Sequence, residues 1–157
     1  MNSDVSTDMS TDAVVARAAE AAARARPEFG AFFLARFLDL DISYDDEART
    51  CTVVLPYAPH LCNPQGTVHG GVLATVMDVS MGHLCHHFLS TAVTIEMNLR
   101  FFRPLTGRGR CTAEVLNGGR RLVHMQSRLT DDEGRLVAFA AGSWHRLDAK
   151  DPKPSST

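Results

Sequence analysis

Four strand-like segments follow one another between Val93 and Leu147, with only short turn sequences between them. VTIEMNLRFF puts Val93, Ile95, Met97, Leu99 and Phe101 on one side and Thr94, Glu96, Asn98 and Arg100 on the other. That period of two belongs to an extended strand. GRCTAEVLN, RLVHMQSRLT and LVAFAAGSWHRL follow, entered through PLTG, NGGR and DDEGR. Turns this short demand antiparallel strands, because a parallel pair needs a long crossover. The chain is therefore α+β, and a Rossmann-type alternation is excluded.

Upstream, LDISYDD and TCTVVLP form a first hairpin around the charged turn DEAR. Pro56 and Pro64 then break the chain, and one helix runs from about Gly71 to His87. TDAVVARAAEAAARAR is strongly helix-forming, with Thr11 or Asp12 as N-cap and Pro27 as its stop. FGAFFLARFLDL adds a short helix packed on the body. The pattern fits an antiparallel sheet of five or six strands around one long central helix, with an extra N-terminal helix. Residues 1–12 read as a disordered leader, 13–146 as one domain and 147–157 as a flexible tail.

A chain of 157 residues can bury a core without disulfide or metal staples. Its net charge of -2 gives no electrostatic reason for a nucleic-acid partner. No apolar run is long enough to span a bilayer, and no secretory pattern opens the sequence. Cys51, Cys62, Cys85 and Cys111 are scattered without a CxxC pair, as expected of reduced thiols in a cytoplasmic protein.

The stretch NPQGTVHGGVLATVMDVSMGHL carries the chemistry. On a helical projection Leu73, Val76, Met77, Ser80 and Leu84 make an apolar stripe. Gly71, Thr75, Asp78, Gly82 and Cys85 make a second stripe whose side chains are small apart from Asp78. A mid-helix glycine costs about 1 kcal/mol relative to alanine, so Gly82 signals a close approach. A lone helical Asp is ordinarily solvated. Here Gly70 and Gly71 open the helix, where free N–H groups and the positive dipole end can polarise a carbonyl. A carboxylate and an electrophilic N–H flanking one small-residue groove form a hydrolytic arrangement that needs no metal or other cofactor.

Asn63, His69-Gly70-Gly71 and Asp78, followed by Gly82, resemble the hot-dog fold acyl-CoA thioesterases of the PaaI-like and 4-hydroxybenzoyl-CoA thioesterase group. VTIEMNLRFFRPLTG and GGRRLVHMQSRLTDDEGRLVAFAAGSW are similar to that family's later strands, so the resemblance covers about residues 40–146. It implies a hot-dog fold and hydrolysis of an aryl- or fatty-acyl-CoA. Asp78 matches the general base or nucleophile, the Gly70 N–H the carbonyl-polarising donor, and Asn63 a polar group orienting carbonyl or water. His69 and Gly71 shape the glycine loop, and Thr94 matches a water-holding residue across a subunit interface. The family site lies between subunits, which implies a homodimer and, by family habit, a dimer of dimers. Arg103, Arg120 and Arg121, with Arg108 and Arg110, are candidates for the CoA phosphates. Met81, Leu84 and the FFLARFL segment are candidates for an apolar acyl pocket.

Rival readings are weaker. His83, Cys85, His86 and His87 lack an HExxH glutamate or a paired CxxC, so a helix-end cluster is preferred to a metal site. No GxSxG accompanies the HGG, which argues against an α/β-hydrolase. Cys85 fits a buried helical thiol better than a nucleophile. The functional alternative is a non-catalytic module that binds acyl-CoA.

Overall fold

The computed structural model describes residues 10–147, so the expectations for residues 1–9 and for 148–157 lie outside the described residues. Helix α1 spans Thr11–Arg24 and α2 spans Phe33–Phe37. Strands β1 (Asp41–Asp45) and β2 (Thr50–Leu55) form the first hairpin. A 3-10 turn at Pro59–Leu61 leads to helix α3, Gly70–Phe88. Then come β3 (Ala92–Phe101), β4 (Gly109–Gly118), β5 (Leu122–Thr130) and β6 (Leu136–Arg146). The cap of α1 is Ser10, whose hydroxyl accepts from the Ala13 N–H, and not Thr11 or Asp12. Serine at that position satisfies a helix-end donor and lets the helix start one residue earlier.

The sheet is antiparallel throughout, in the order β1-β2-β4-β5-β6-β3. The PLTG turn fixes a strand direction without making neighbours, since β3 pairs with β6 and β4 lies between β2 and β5. Leu105 in that connection is buried, and its carbonyl accepts from the Val68 N–H at 2.9 Å. The inner face is built by alternation: Val123, Met125, Ser127 and Leu129 of β5 all point inward. They meet Val53 and Leu55 of β2 and Ala138, Ala140 and Trp144 of β6 in one core. Fully burying one such aliphatic side chain contributes about 1.5–3 kcal/mol.

Helix α3 is buried on most of its circumference, including Val76, Met77, Met81, Leu84 and Cys85. Met81 and Leu84, expected at an acyl pocket, are fully buried in the core, and Cys85 also belongs to the core instead of the small-residue stripe. The sheet curls around the helix, so its buried arc is wider than a helix lying on a flat face would have. Ser80 follows it inward, donating to the Met77 carbonyl (2.7 Å) and meeting the Ser127 hydroxyl at 2.9 Å. A Cβ added at Gly82 would meet nothing within 4 Å, so no close approach within the chain explains that glycine.

Strand β3 departs from simple alternation. Thr94 pairs with Trp144 and Glu96 with Ser143, which leaves Ile95 as a bulge. The bulge reverses the alternation, as an extra unpaired residue must. Thr94 thus shares the helix-facing side with Met97 and Leu99, although the uninterrupted period places it opposite. Gly142 makes the bulge possible, because a Cβ there would strike the Glu96 carbonyl and approach the Met97 Cα to 3.1 Å. Gly142→Ala is expected to cost about 1–3 kcal/mol through overpacking. Urea unfolding of that variant checks it, and an unchanged midpoint contradicts the assignment.

Candidate functional site

The loop before α3 is held rigidly. The Asn63 N–H donates to the Thr67 carbonyl at 2.8 Å, and the Gly66 N–H donates to the Asn63 carbonyl at 3.0 Å. Gly66 takes a φ of 77°, a conformation that glycine adopts at little cost. The Asn63 side chain works within the same loop. Its Oδ1 accepts from the N–H groups of Gln65 (3.0 Å) and Thr67 (3.2 Å), and its Nδ2 donates to Thr67 Oγ1 at 3.0 Å. One Nδ2 hydrogen is left over, so Asn63 has a single donor for anything beyond its loop. Bonds from Val68 to Leu105 and from His69 to Leu61 then deliver the chain to the helix start.

His69 is the N-cap of α3, and its Nδ1 accepts from the Gly71 N–H at 2.9 Å. Its role is thus to order the glycines. That bond consumes one helix-end donor, whereas the Gly70 N–H has no acceptor among the described residues. Gly70 borders a cleft of about 380 Å³ with Asn63, Phe101, Phe102 and Arg103. Arg103 donates from Nη1 to the Leu136 carbonyl at 2.9 Å, which fixes it beside that cleft. A second cleft of about 470 Å³ lies on the other side of the helix start, against Gly71, Thr75 and α2. A larger one of about 590 Å³ lies between α1 and α2, away from both.

Asp78 is half-buried on the open stripe of α3, with Gly71 exposed and Thr75 and Gly82 half-buried. Thr94 Oγ1 donates to Asp78 Oδ1 at 2.8 Å, a contact within one chain that the β3 bulge creates. Oδ2 has no partner among the described residues. Thr94 therefore orients the carboxylate and leaves one oxygen available. Arg120 and Arg121 lie at the far end of the sheet, where Arg146 binds the Gly119 carbonyl and the Ser90 hydroxyl. Within one chain they do not join Gly70, because the β4–β5 turn sits beside the C-terminus of α3. His60, Phe101 and Phe102 line the clefts without having been singled out in sequence. Prolines around His60, and the apolar doublet in a strand, disguised them as ordinary loop and core.

A comparison with protein families matches residues 65–138 to the description "Thioesterase superfamily". A solved conserved protein, PA5202 of Pseudomonas aeruginosa, is 34% identical, covering 72% of this chain and 92% of that one with a TM-score of 0.65. The chain belongs to the thioesterase superfamily. Its chemistry is thioester hydrolysis, on the hot-dog fold expected from HGG and Asp78. The BH2602 protein of Bacillus halodurans, solved with CoA, is 25% identical over 93% of this chain and 99% of that chain, with a TM-score of 0.78. The acyl-coenzyme A thioesterase THEM4 of Bos taurus is 31% identical over 72% of this chain, which spans 46% of that protein's length. Among the described residues no helix is long and apolar enough to cross a membrane.

In this thioesterase-superfamily chain the three histidines near the end of α3 are each engaged by other side chains. Tyr44 Oη lies 2.7 Å from His83 Nδ1, His87 Nε2 lies 3.0 Å from Asp46, and His86 stacks on Phe29 at 3.8 Å. Phe29 also meets the His83 ring edge-on, so the cluster docks the N-terminal segment onto α3. Burial, and the nearby His86, push the His83 pKa down to about 4. An unfolded His83 therefore binds a proton first as pH falls from about 6.5, and the folded form is penalised from there down to about pH 4. His83→Gln is expected to flatten this part of the Tm-versus-pH curve. Equal slopes for the two proteins between those pH values contradict it.

Proposed function

We propose that this chain hydrolyses acyl-CoA thioesters to a free acid and CoA, in a site completed by a second copy of itself. The observation that carries the reading is the pairing of two unspent groups on one helix. They are the Gly70 N–H, with no acceptor among the described residues, and the free oxygen of Asp78. Eight residues of helix separate them by about 12 Å, too far for one thioester carbonyl and its attacking water. A two-fold partner closes that gap.

The surface for such a partner is strand β3. It is an edge strand of 10 residues with Val93, Ile95 and Phe101 from 47% to 55% exposed. A long apolar edge is a template for strand pairing. The opposite edge, β1, is short and bears Asp41 and Asp45, which discourage it. Antiparallel pairing of β3 with its copy sets the Phe101 end of one chain beside the Thr94 end of the other. Gly70 lies against the Phe101 ring and Thr94 binds Asp78, so each Gly70 faces the partner's Asp78. The same symmetry moves the partner's Arg120 and Arg121 end toward the Gly70 cleft, where Arg103 already sits. The CoA bound in the Bacillus halodurans relative supports a phosphate-bearing substrate for these arginines.

Hydrolysis then needs few groups. The Gly70 N–H polarises the carbonyl, helped by the positive end of α3, and stabilises the oxyanion. Asp78 takes a proton from water as the water oxygen attacks, and the C–S bond breaks to release CoA thiolate. In the covalent variant Asp78 attacks the carbonyl itself, CoA thiolate leaves, and water then hydrolyses the mixed anhydride to the free acid and the restored carboxylate. Asn63 contributes its one spare N–H. The dimer is the smallest complete unit, and two such dimers can associate without changing either site.

Two variants test this. Asp78→Asn keeps the Thr94 contact and removes the base, so thiol release from a panel of aryl- and fatty-acyl-CoAs falls about 10²–10⁴-fold. Gly70→Pro removes the N–H and adds a ring whose Cβ would meet the Phe101 ring at 3.5 Å, an ordinary contact. Proline suits the first helical position, and His69 already has the extended backbone (φ -60, ψ 135) that a residue before proline requires. It should fold normally and lose about 10²–10³ in kcat. Wild-type protein that releases no thiol from any member of the panel defeats the proposal.

A further inference from the structure

The cleft of about 470 Å³ beneath α2 has no role in the steps above, yet it shares a helix face with Asp78. Gly71 and Thr75 line it, and Asp78 is the next residue of that open stripe. Its other walls are apolar: Leu34 and Phe37 of α2, with Leu61 and Val72 opposite. No Asp, Glu, Lys or Arg lines it, whereas the Gly70 cleft holds Arg103. His60 adds a ring whose two nitrogens are shut off from solvent without partners among the described residues, and burial lowers its pKa. Leu34, at the rim, is 45% exposed, an apolar side chain with space in front of it.

We infer that this cleft receives the acyl chain of the thioester, and that α2, through Leu34 and Phe37, sets which uncharged apolar acyl groups are accepted. The inference rests on the thioesterase reading of Gly70 and Asp78. The helix start divides the substrate: the CoA arm leaves past Arg103, and the acyl chain turns under α2. Clefts of roughly 300–1,000 Å³ are the usual size for a small-molecule ligand. The selecting element lies upstream of residues 65–138, the part matched to the family.

Each buried methylene is worth about fourfold in kcat/KM, so octanoyl-CoA should be preferred to acetyl-CoA and to succinyl-CoA, whose carboxylate the cleft cannot pair. Leu34→Trp fills the mouth from an exposed position and should lower the octanoyl-to-acetyl ratio of kcat/KM about tenfold, while Leu34→Ala moves it less. An equal fall for both substrates overturns the inference. Cys62 gives a readout independent of turnover, because it lines the cleft and is the one cysteine of the four that is not buried. Octanoate, but not acetate, should slow its alkylation by iodoacetamide, read by mass spectrometry. No protection overturns the inference whatever the kinetics show. Protection in a protein that hydrolyses nothing overturns the hydrolytic reading and leaves the cleft an acyl-binding site.

Discussion

Helix α3 must satisfy two opposing demands, and the rest of the structure follows from how it does so. Its apolar residues bury it in the curl of the sheet, from β2 round to β3. Along one line, Gly71–Thr75–Asp78–Gly82, it is left uncovered. A fully apolar helix would be inert, and a narrowly amphipathic one would lie loosely on the sheet. The wide buried arc fixes the helix axis, so the free N–H at its start and the carboxylate two turns on keep their positions with little reorganisation. Preorganised donors are what oxyanion stabilisation requires.

Two local devices set the atoms. The Asn63 loop, closed by its own side chain and by Gly66, aims the helix start, and His69 spends the Gly71 donor while leaving that of Gly70. On the opposite side the Ile95 bulge, which Gly142 permits, turns Thr94 toward Asp78. Neither device is an attack group. Both hold the carboxylate and the N–H on one chain about two turns of helix apart.

Much of this was legible in the sequence, for identifiable reasons. Strand positions followed from period-two alternation, and α3 from its apolar stripe and glycine start, because those patterns reflect burial directly. The Thr94 face was misread because a bulge is one residue that changes no composition; Gly142, directly across the ladder, was its only trace. Met81 and Leu84 look in sequence like residues free to line a pocket, whereas a helix wrapped by a curved sheet buries both fully in the core. Arg120 and Arg121 looked like Arg103 in sequence, since a turn arginine carries no sign of which end of the sheet it occupies. The histidine cluster packs against Phe29, a partner that nothing in the sequence marks because the N-terminal segment must first fold back onto α3.

The shared site is the central claim, and mixed dimers test it directly. Asp78→Asn and Gly70→Pro each inactivate both sites of their own homodimer. After the two inactive proteins are unfolded together and refolded at equal concentration, half the dimers are hybrids, each with one intact Asp78 facing one intact Gly70. The account predicts recovery of about a quarter of wild-type thioesterase activity, by the arithmetic of a two-fold dimer. Activity that stays at the level of the separate variants, while hybrids are verified by mass, would place Gly70 and Asp78 of one chain in the same site and contradict the account.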